Sequence, residues 1–181
     1  KSGRDVAAGM LHGTRMALWL GLIMVGIAIS MGLFLGGISL FFASMYNGIV
    51  LQAIGITIAV AGSLLFLYKT GMVVVDQQFR TAITTATMAI FAVYLISMVL
   101  SFFGTTIPYI HQGGVIGILF SLFVVGIAAA NLLLDFDFIE KGAESGAPKY
   151  MEWYGAFALM VTLVWLYLEI LKLLAKLRGR D

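Results

Sequence analysis

From Thr81 to Leu134 the chain carries no Asp, Glu, Lys or Arg, and this uncharged run limits the folds open to it. Charged residues gather instead within residues 1–15, 69–80, 135–152 and 169–181. The apolar stretches between these clusters are as long as the ~20 residues that cross the ~30 Å hydrocarbon core of a bilayer. With 61% hydrophobic and 11% charged residues, the composition is too apolar for a soluble monomer. The sequence therefore predicts an all-α, polytopic transmembrane helical bundle. A β-barrel is disfavoured, because polar and apolar residues do not alternate.

About five hydrophobic segments are predicted within a single transmembrane domain spanning residues 1–181, at about 16–43, 49–68, 80–103, 115–137 and 150–177. Gly71 is predicted to end segment two as a left-handed residue just past the helix. Lys69 and Arg80 mark one side of the membrane as cytoplasmic. A complete fifth crossing would then place the basic C-terminal residues outside, against the positive-inside rule. Two alternatives therefore remain: segment five is re-entrant or partial, or it crosses fully and its basic C-terminal residues are tolerated outside.

Segment three carries a stripe of polar and larger side chains that recur at three- and four-residue spacing and so share one helix face. Its members are Arg80, Thr84, Thr87, Phe91, Tyr94, Met98 and Ser101. Such a stripe is expected to face the bundle, where it would hydrogen-bond neighbouring helices. A second interpretation is the wall of a water-filled path, lined by Thr84, Thr87 and Tyr94, with Asn131 from segment four.

Two aspartates end the uncharged run. Asp135 and Asp137 are two residues apart, so on a continuous helix they point in nearly opposite directions, about 200° apart. Asp137 has Lys141 four residues on, a spacing that favours a surface ion pair. Asp135 has Asn131 four residues before it. These neighbours favour Asp135 as the acid that faces the bundle and Asp137 as the interfacial one, while a position of both acids at headgroup level is the alternative.

Segment five contains one acid in its C-terminal half, Glu169. An ionisable side chain inside a membrane helix is costly and suggests a functional role. A local pair with Lys172 that reaches outward is one possibility. In the other, Glu169 turns inward and meets Asp135, so that the two carboxylates share a proton and hold the helices together. After deprotonation they would repel each other or take up a hard cation such as Ca²⁺. Asp135 and Glu169 are therefore candidate ligands of a transient Ca²⁺ ion.

Three stretches in this order, residues 32–42, 134–141 and 166–171, together resemble the transmembrane Bax-inhibitor-motif family in its bacterial branch. The resemblance implies a helical bundle with the last helix central, in a bacterial cytoplasmic membrane. It also implies a pH-sensitive Ca²⁺ leak governed by acids on the last two helices, with Asp135, or else Asp137, as the first acid and Glu169 as the second. The first two of the family's seven helices are not evident, and the second acid is Glu rather than Asp. The linker between the acids is longer than expected, and Arg15 alone is a candidate for the family's basic latch.

The sequence leaves several functions open. The first is a Ca²⁺ leak channel or a proton-linked Ca²⁺ transporter, with Ca²⁺ and H⁺ as its ions and no cofactor. A non-conducting membrane protein that regulates a partner is the alternative, and a homo-oligomer is also open. An intramembrane aspartyl protease is disfavoured, because no Gly-x-Gly-Asp motif is present, and we expect no enzymatic activity. There is no cysteine and no basic patch with interleaved aromatic residues, so neither thiol chemistry nor nucleic-acid binding is expected.

Overall fold

The computed structural model describes residues 2–103 and 114–179, with side chains described at 18, 19 and from 21 onward. Within these ranges the chain forms five helices and no strand. They are α1 (Ser2–Met45), α2 (Ile49–Lys69), α3 (Gln77–Phe102), α4 (Val115–Glu144) and α5 (Tyr150–Arg178). Each contains a stretch long and apolar enough to cross a membrane, which in α1 is Gly21–Met45. The predicted polytopic helical fold is confirmed.

The helices differ from the predicted segments mainly at two ends. α1 begins at Ser2, although the apolar stretch was predicted from about residue 16. α4 continues past Asp137 to Glu144, through residues that carry charge but favour a helix. The first charged residues after the apolar stretch therefore do not mark where the helix ends.

Two local motifs fix the position of the α2–α3 connection. Gly71 has φ of 71°, and its N–H donates to Tyr68 O while Met72 N–H donates to Leu67 O. This is a Schellman cap, as predicted for Gly71. At the start of α3 the Asp76 side chain accepts a hydrogen bond from Phe79 N at 2.7 Å and caps the helix.

The chain divides into two compact units, residues 1–41 and residues 42–181. The first unit is the greater part of α1. In the second, α4 packs against α2, α3 and α5, and α5 packs against α2 and α4. α4 thus has a packing contact with each of the other three helices of this unit, and α5, the last helix, lies beside it against α2. The core residues contributed by α2, α4 and α5 are Ile49, Ala53, Val124, Ala128, Leu132, Leu133, Leu166, Ile170 and Leu171.

α5 is one continuous helix of 29 residues that runs back along α4. Gly155 near its start lies against Ile139 near the end of α4, and Lys176 near its end contacts Gly117 near the start of α4. This geometry does not agree with a re-entrant fifth segment. Of the two alternatives, it supports the tolerated positive tail.

Candidate functional site

The bundle-facing side of α3 is rotated away from the predicted polar stripe. Its buried residues are Ile83, Ile90 and Ser97. Successive residues are about 100° apart around the helix axis. The buried residues therefore lie roughly 60–100° around the axis from Arg80, and Thr84 lies on the other side of Arg80. The stripe therefore lies at the edge of the interface. Arg80, Thr87 and Tyr94 reach neighbouring helices, while Thr84, Phe91, Met98 and Ser101 are exposed. Thr84 consequently does not line an internal path, because the apolar side chains of α3 determine which side is buried.

Asp137 is a buried acid between α3 and α4, with a side chain that is 6% exposed. Arg80 of α3 donates to its Oδ2, and Lys141 lies 2.8 Å from its Oδ1 and 2.9 Å from its Oδ2. The predicted pair with Lys141 is confirmed, but Asp137 is buried between helices and does not form the surface pair that was predicted. The reason is that α4 has a neighbour on each side. Residues 200° apart therefore face two different helices, with Asp137 towards α3 and Asp135 towards α5.

Asp135 lies between α4 and α5, beside Thr162 of α5, whose hydroxyl donates to Ala158 O at 3.2 Å. Its second carboxylate oxygen, Oδ2, is buried and has no hydrogen-bond partner among the described residues. A buried polar atom left without a partner is costly. Of Asp135, Asp137 and Glu169, Asp135 is therefore the one acid without a described basic partner. Asp137, on the opposite side of the same helix, has two.

Glu169 is the most deeply buried acid of the described chain, with a side chain that is 2% exposed. The hydroxyl of Tyr94 lies 3.1 Å from its Oε1 and 3.0 Å from its Oε2. Lys172, three residues on, donates to Oε1 at 2.9 Å and lies 4.9 Å from the centre of the Tyr94 ring. The local pair with Lys172 thus forms, with a third member from α3, and Lys172 reaches outward from the buried acid, since its side chain is 45% exposed.

The two acids predicted to meet are held apart. No hydrogen bond joins Asp135 to Glu169, both of which the structure describes. Thr162, the neighbour of Asp135, precedes Glu169 by seven residues, which is about 10 Å of helix rise. A direct carboxylate pair of Asp135 and Glu169 is therefore contradicted by this geometry. The Glu169 carboxylate contacts Tyr94 and Lys172, and not the carboxylate of Asp135 as predicted.

Three separate polar contacts, seven residues apart on α3, nevertheless connect this helix to α4 or α5. In the middle contact, Asn131 Nδ2 donates to Thr87 Oγ1 at 2.8 Å, which joins α4 to α3. From Arg80 to Tyr94 these contacts form a row that covers 14 residues of α3, or about 21 Å of helix rise. We call it the polar track, and its members in order are Arg80, Asp137, Thr87, Asn131, Tyr94, Glu169 and Lys172.

Beyond the track, two basic residues of α5 bind the starts of other helices. Lys176 Nζ lies 3.1 Å from Gly117 O and 2.8 Å from Ser121 Oγ in α4. Arg178 donates to Asn47 O at 2.8 Å and to Gln52 Oε1 at 2.7 Å. These contacts give the positive tail of α5 partners within the protein, which explains how it is accommodated at this end of the bundle.

Sequence reasoning identified Thr87, Tyr94, Asn131, Asp137 and Glu169 but missed the roles of two cations. Arg80 was placed on the stripe, yet not as the partner of an acid, although it precedes Thr87 and Tyr94 at seven-residue spacing. The sequence predicts Lys172 as an outward-reaching partner of Glu169, but not its position over the Tyr94 ring. The basic latch proposed for Arg15 concerns a side chain that lies outside the described part of the structure.

No group of three or more His, Cys, Asp and Glu side chains in the described residues is arranged to hold a metal ion. The acids of the polar track are instead each held by a cation or a hydroxyl. The site consists of ion pairs and hydrogen bonds, several of them between helices. Asp137 and Glu169 belong to two separate groups within it.

The fold and the track define a polytopic helical membrane protein with ionisable groups buried between its helices. A family model described as Bax inhibitor 1 like matches residues 9–179. The chain therefore belongs to the Bax inhibitor 1 like family. No curated protein and no solved structure matches it.

Proposed function

We propose that the protein conducts cations across the membrane along the polar track in a pH-dependent way, with Ca²⁺ as its substrate. The observation that carries this proposal is Glu169, an acid buried deep in the bundle and held by side chains of α3 and α5. Keeping an ionisable group inside a membrane is costly, and such groups mark ion and proton pathways. A merely structural contact between two membrane helices does not require one.

Two ion-pair groups would control passage. Arg80 and Lys141 hold Asp137 near one end of the track, while Lys172 and Tyr94 hold Glu169 farther along it. Protonation of either carboxylate removes the charge that holds these cations. The pH response would thus come from each acid separating from its own partners, rather than from one proton shared between Asp135 and Glu169. Asp135 faces α5 and is not part of the polar track, but its unpartnered oxygen is a further group that could bind a cation beside it.

The arrangement favours transport over intramembrane proteolysis. An aspartyl protease needs two carboxylates that hold one water molecule between them. Here Glu169 contacts Tyr94 and Lys172, and Asp137 contacts Arg80 and Lys141. A carboxylate paired with a basic side chain of the protein is suited to an ion pathway, because a transported cation could displace that side chain.

Ca²⁺ flux into proteoliposomes, measured across mildly acidic to mildly basic pH, tests the proposal. We expect wild-type flux to depend on pH, and Glu169→Gln, Asp137→Asn and Asp135→Asn to flatten or shift that dependence. Glu152→Gln is the matched control, because Glu152 is an exposed acid in the first turn of α5. Wild-type vesicles without flux would refute conduction and leave the non-conducting regulatory protein as the better account. An unchanged pH profile in all three variants would remove the acids from the mechanism.

A further inference from the structure

The positive charge of Lys172 is surrounded by the groups that would bind a cation at Glu169. Its Nζ lies 2.9 Å from Glu169 Oε1 and 4.9 Å from the centre of the Tyr94 ring. The Tyr94 hydroxyl lies within 3.1 Å of both carboxylate oxygens. A carboxylate, a phenol and the face of an aromatic ring are all ligands of cations. The ammonium group thus occupies the region from which another cation would approach Glu169.

Lys172 is tied to this position by its own helix. It follows Glu169 by three residues, so the two side chains are neighbours on one face of α5. Its side chain is 45% exposed, while that of Glu169 is 2% exposed, so the lysine covers the acid from the more accessible side. A group tethered beside its partner acts at a high effective concentration. A free monovalent ion gains no charge advantage over such a group, whereas a divalent ion attracts the carboxylate with twice the charge.

We propose that Lys172 is the resident cation of the Glu169 site and that it makes this site selective for divalent over monovalent cations. A divalent ion displaces the ammonium from the carboxylate, and a monovalent ion does not. This inference rests on the proposed cation pathway and assigns its selectivity to one residue. Lys172 acts here through Glu169, as a competitor that an incoming ion must replace.

The first test uses the unaltered protein and does not require transport. Purified protein in lipid nanodiscs is treated with a small amine-acylating reagent in CaCl₂ or in KCl of equal ionic strength, and labelling of each lysine is measured by mass spectrometry. We expect Ca²⁺ to increase the labelling of Lys172 several-fold relative to K⁺. Lys149, an exposed lysine at the start of α5, is the internal control and should label equally in both salts. Equal labelling of Lys172 in the two salts would overturn the inference.

The second test measures selectivity in proteoliposomes. Lys172→Gln should raise K⁺ flux relative to Ca²⁺ flux by about tenfold, since a unit charge next to a buried carboxylate changes its interaction with an ion by several times RT. Lys172→Arg, which keeps the charge, and Lys149→Gln, which removes one elsewhere, should keep the wild-type ratio. A wild-type ratio in Lys172→Gln would contradict the inference.

The two tests separate this inference from the proposed function. Ca²⁺-dependent labelling of Lys172 in a protein that shows no flux would support the displacement and refute conduction. Flux in the wild type without any change in labelling would keep the pathway and refute the role of Lys172. If Lys172→Gln does not fold, the labelling of the native protein still decides the question.

Discussion

Arg80 in the first turn of α3 binds the buried carboxylate of Asp137 near the end of α4, and this contact joins the two helices at one end of the polar track. Lys141 binds the same carboxylate from its own helix. Two cations therefore surround one acid, and only Arg80 comes from the other helix. The cross-helix part of this cluster depends on a single side chain.

Replacing Arg80 with Gln should destabilise the protein by about 2 kcal/mol. This is less than a fully buried pair would lose, because the Arg80 side chain is 36% exposed and Lys141 still neutralises Asp137. Thermal unfolding in detergent measures the loss. In a double-mutant cycle with Asp137→Asn, the two changes together should cost clearly less than their sum. Lys69→Gln is the control, because Lys69 makes a long, exposed pair with Glu140 at 3.5 Å. Additive effects of the Arg80 and Asp137 variants would show that the contact does not couple α3 to α4.

Replacing Tyr94 with Phe removes one hydroxyl and keeps the ring that faces Lys172. We expect a loss of about 1–2 kcal/mol in stability, since the hydroxyl bonds a charged group between two membrane helices. The remaining Glu169–Lys172 pair should be more accessible, so acylation of Lys172 should increase even without Ca²⁺. Tyr154→Phe serves as the control, because Tyr154 is exposed and its ring packs against Phe138. If Tyr94→Phe and Tyr154→Phe behave alike in both measurements, the phenol does not hold Glu169.

The contact between Asn131 and Thr87 allows a matched comparison within α3. Thr87→Val removes the oxygen that accepts from Asn131 Nδ2 at 2.8 Å and should cost about 1 kcal/mol. Thr81→Val is the control, because Thr81 bonds only the carbonyl of Gln77 in its own helix. Thr87 also bonds its own helix, at Ile83 O, so the difference between the two variants isolates the cross-helix bond. Equal unfolding temperatures for the two variants would argue against it.

Much of the fold follows from hydropathy, because an uncharged run as long as residues 81–134 has few structures available to it. The helix ends were also predictable from the sequence where a local motif sets them, as at Gly71. The rotation of α3 was not. Its polar stripe is visible in the sequence, but the buried side is set by Ile83 and Ile90, and this choice depends on the neighbours that α3 meets.

The acids show why the site was predicted only in part. Asp135 and Asp137 do point in opposite directions, but α4 has more than one buried side. α4 packs between α3 and α5, so both acids find a helix to face. Glu169 pairs with Lys172 within α5, and Asp137 meets Arg80 because α3 packs on α4. The register of α4 against α5 determines instead how far Asp135 lies from Glu169, and no residue pattern within one helix encodes that register.

The register of α4 against α5 depends on a close approach at Gly155. A Cβ atom added there would lie 2.9 Å from Ile139 Cγ1 and 3.6 Å from its Cδ1. Gly155→Ala should therefore separate the helices locally and cost about 1–3 kcal/mol, although alanine favours a helix more than glycine does. Thermal unfolding measures this cost. Ile139→Ala in the same protein removes the atoms that clash and should restore part of the stability. Gly62→Ala in α2, where nothing lies within 4 Å of the added carbon, is the control and should be neutral or stabilising. Should Gly155→Ala be as stable as Gly62→Ala, the α4–α5 contact would be looser than described, and the register that separates Asp135 from Glu169 would lose its main steric support.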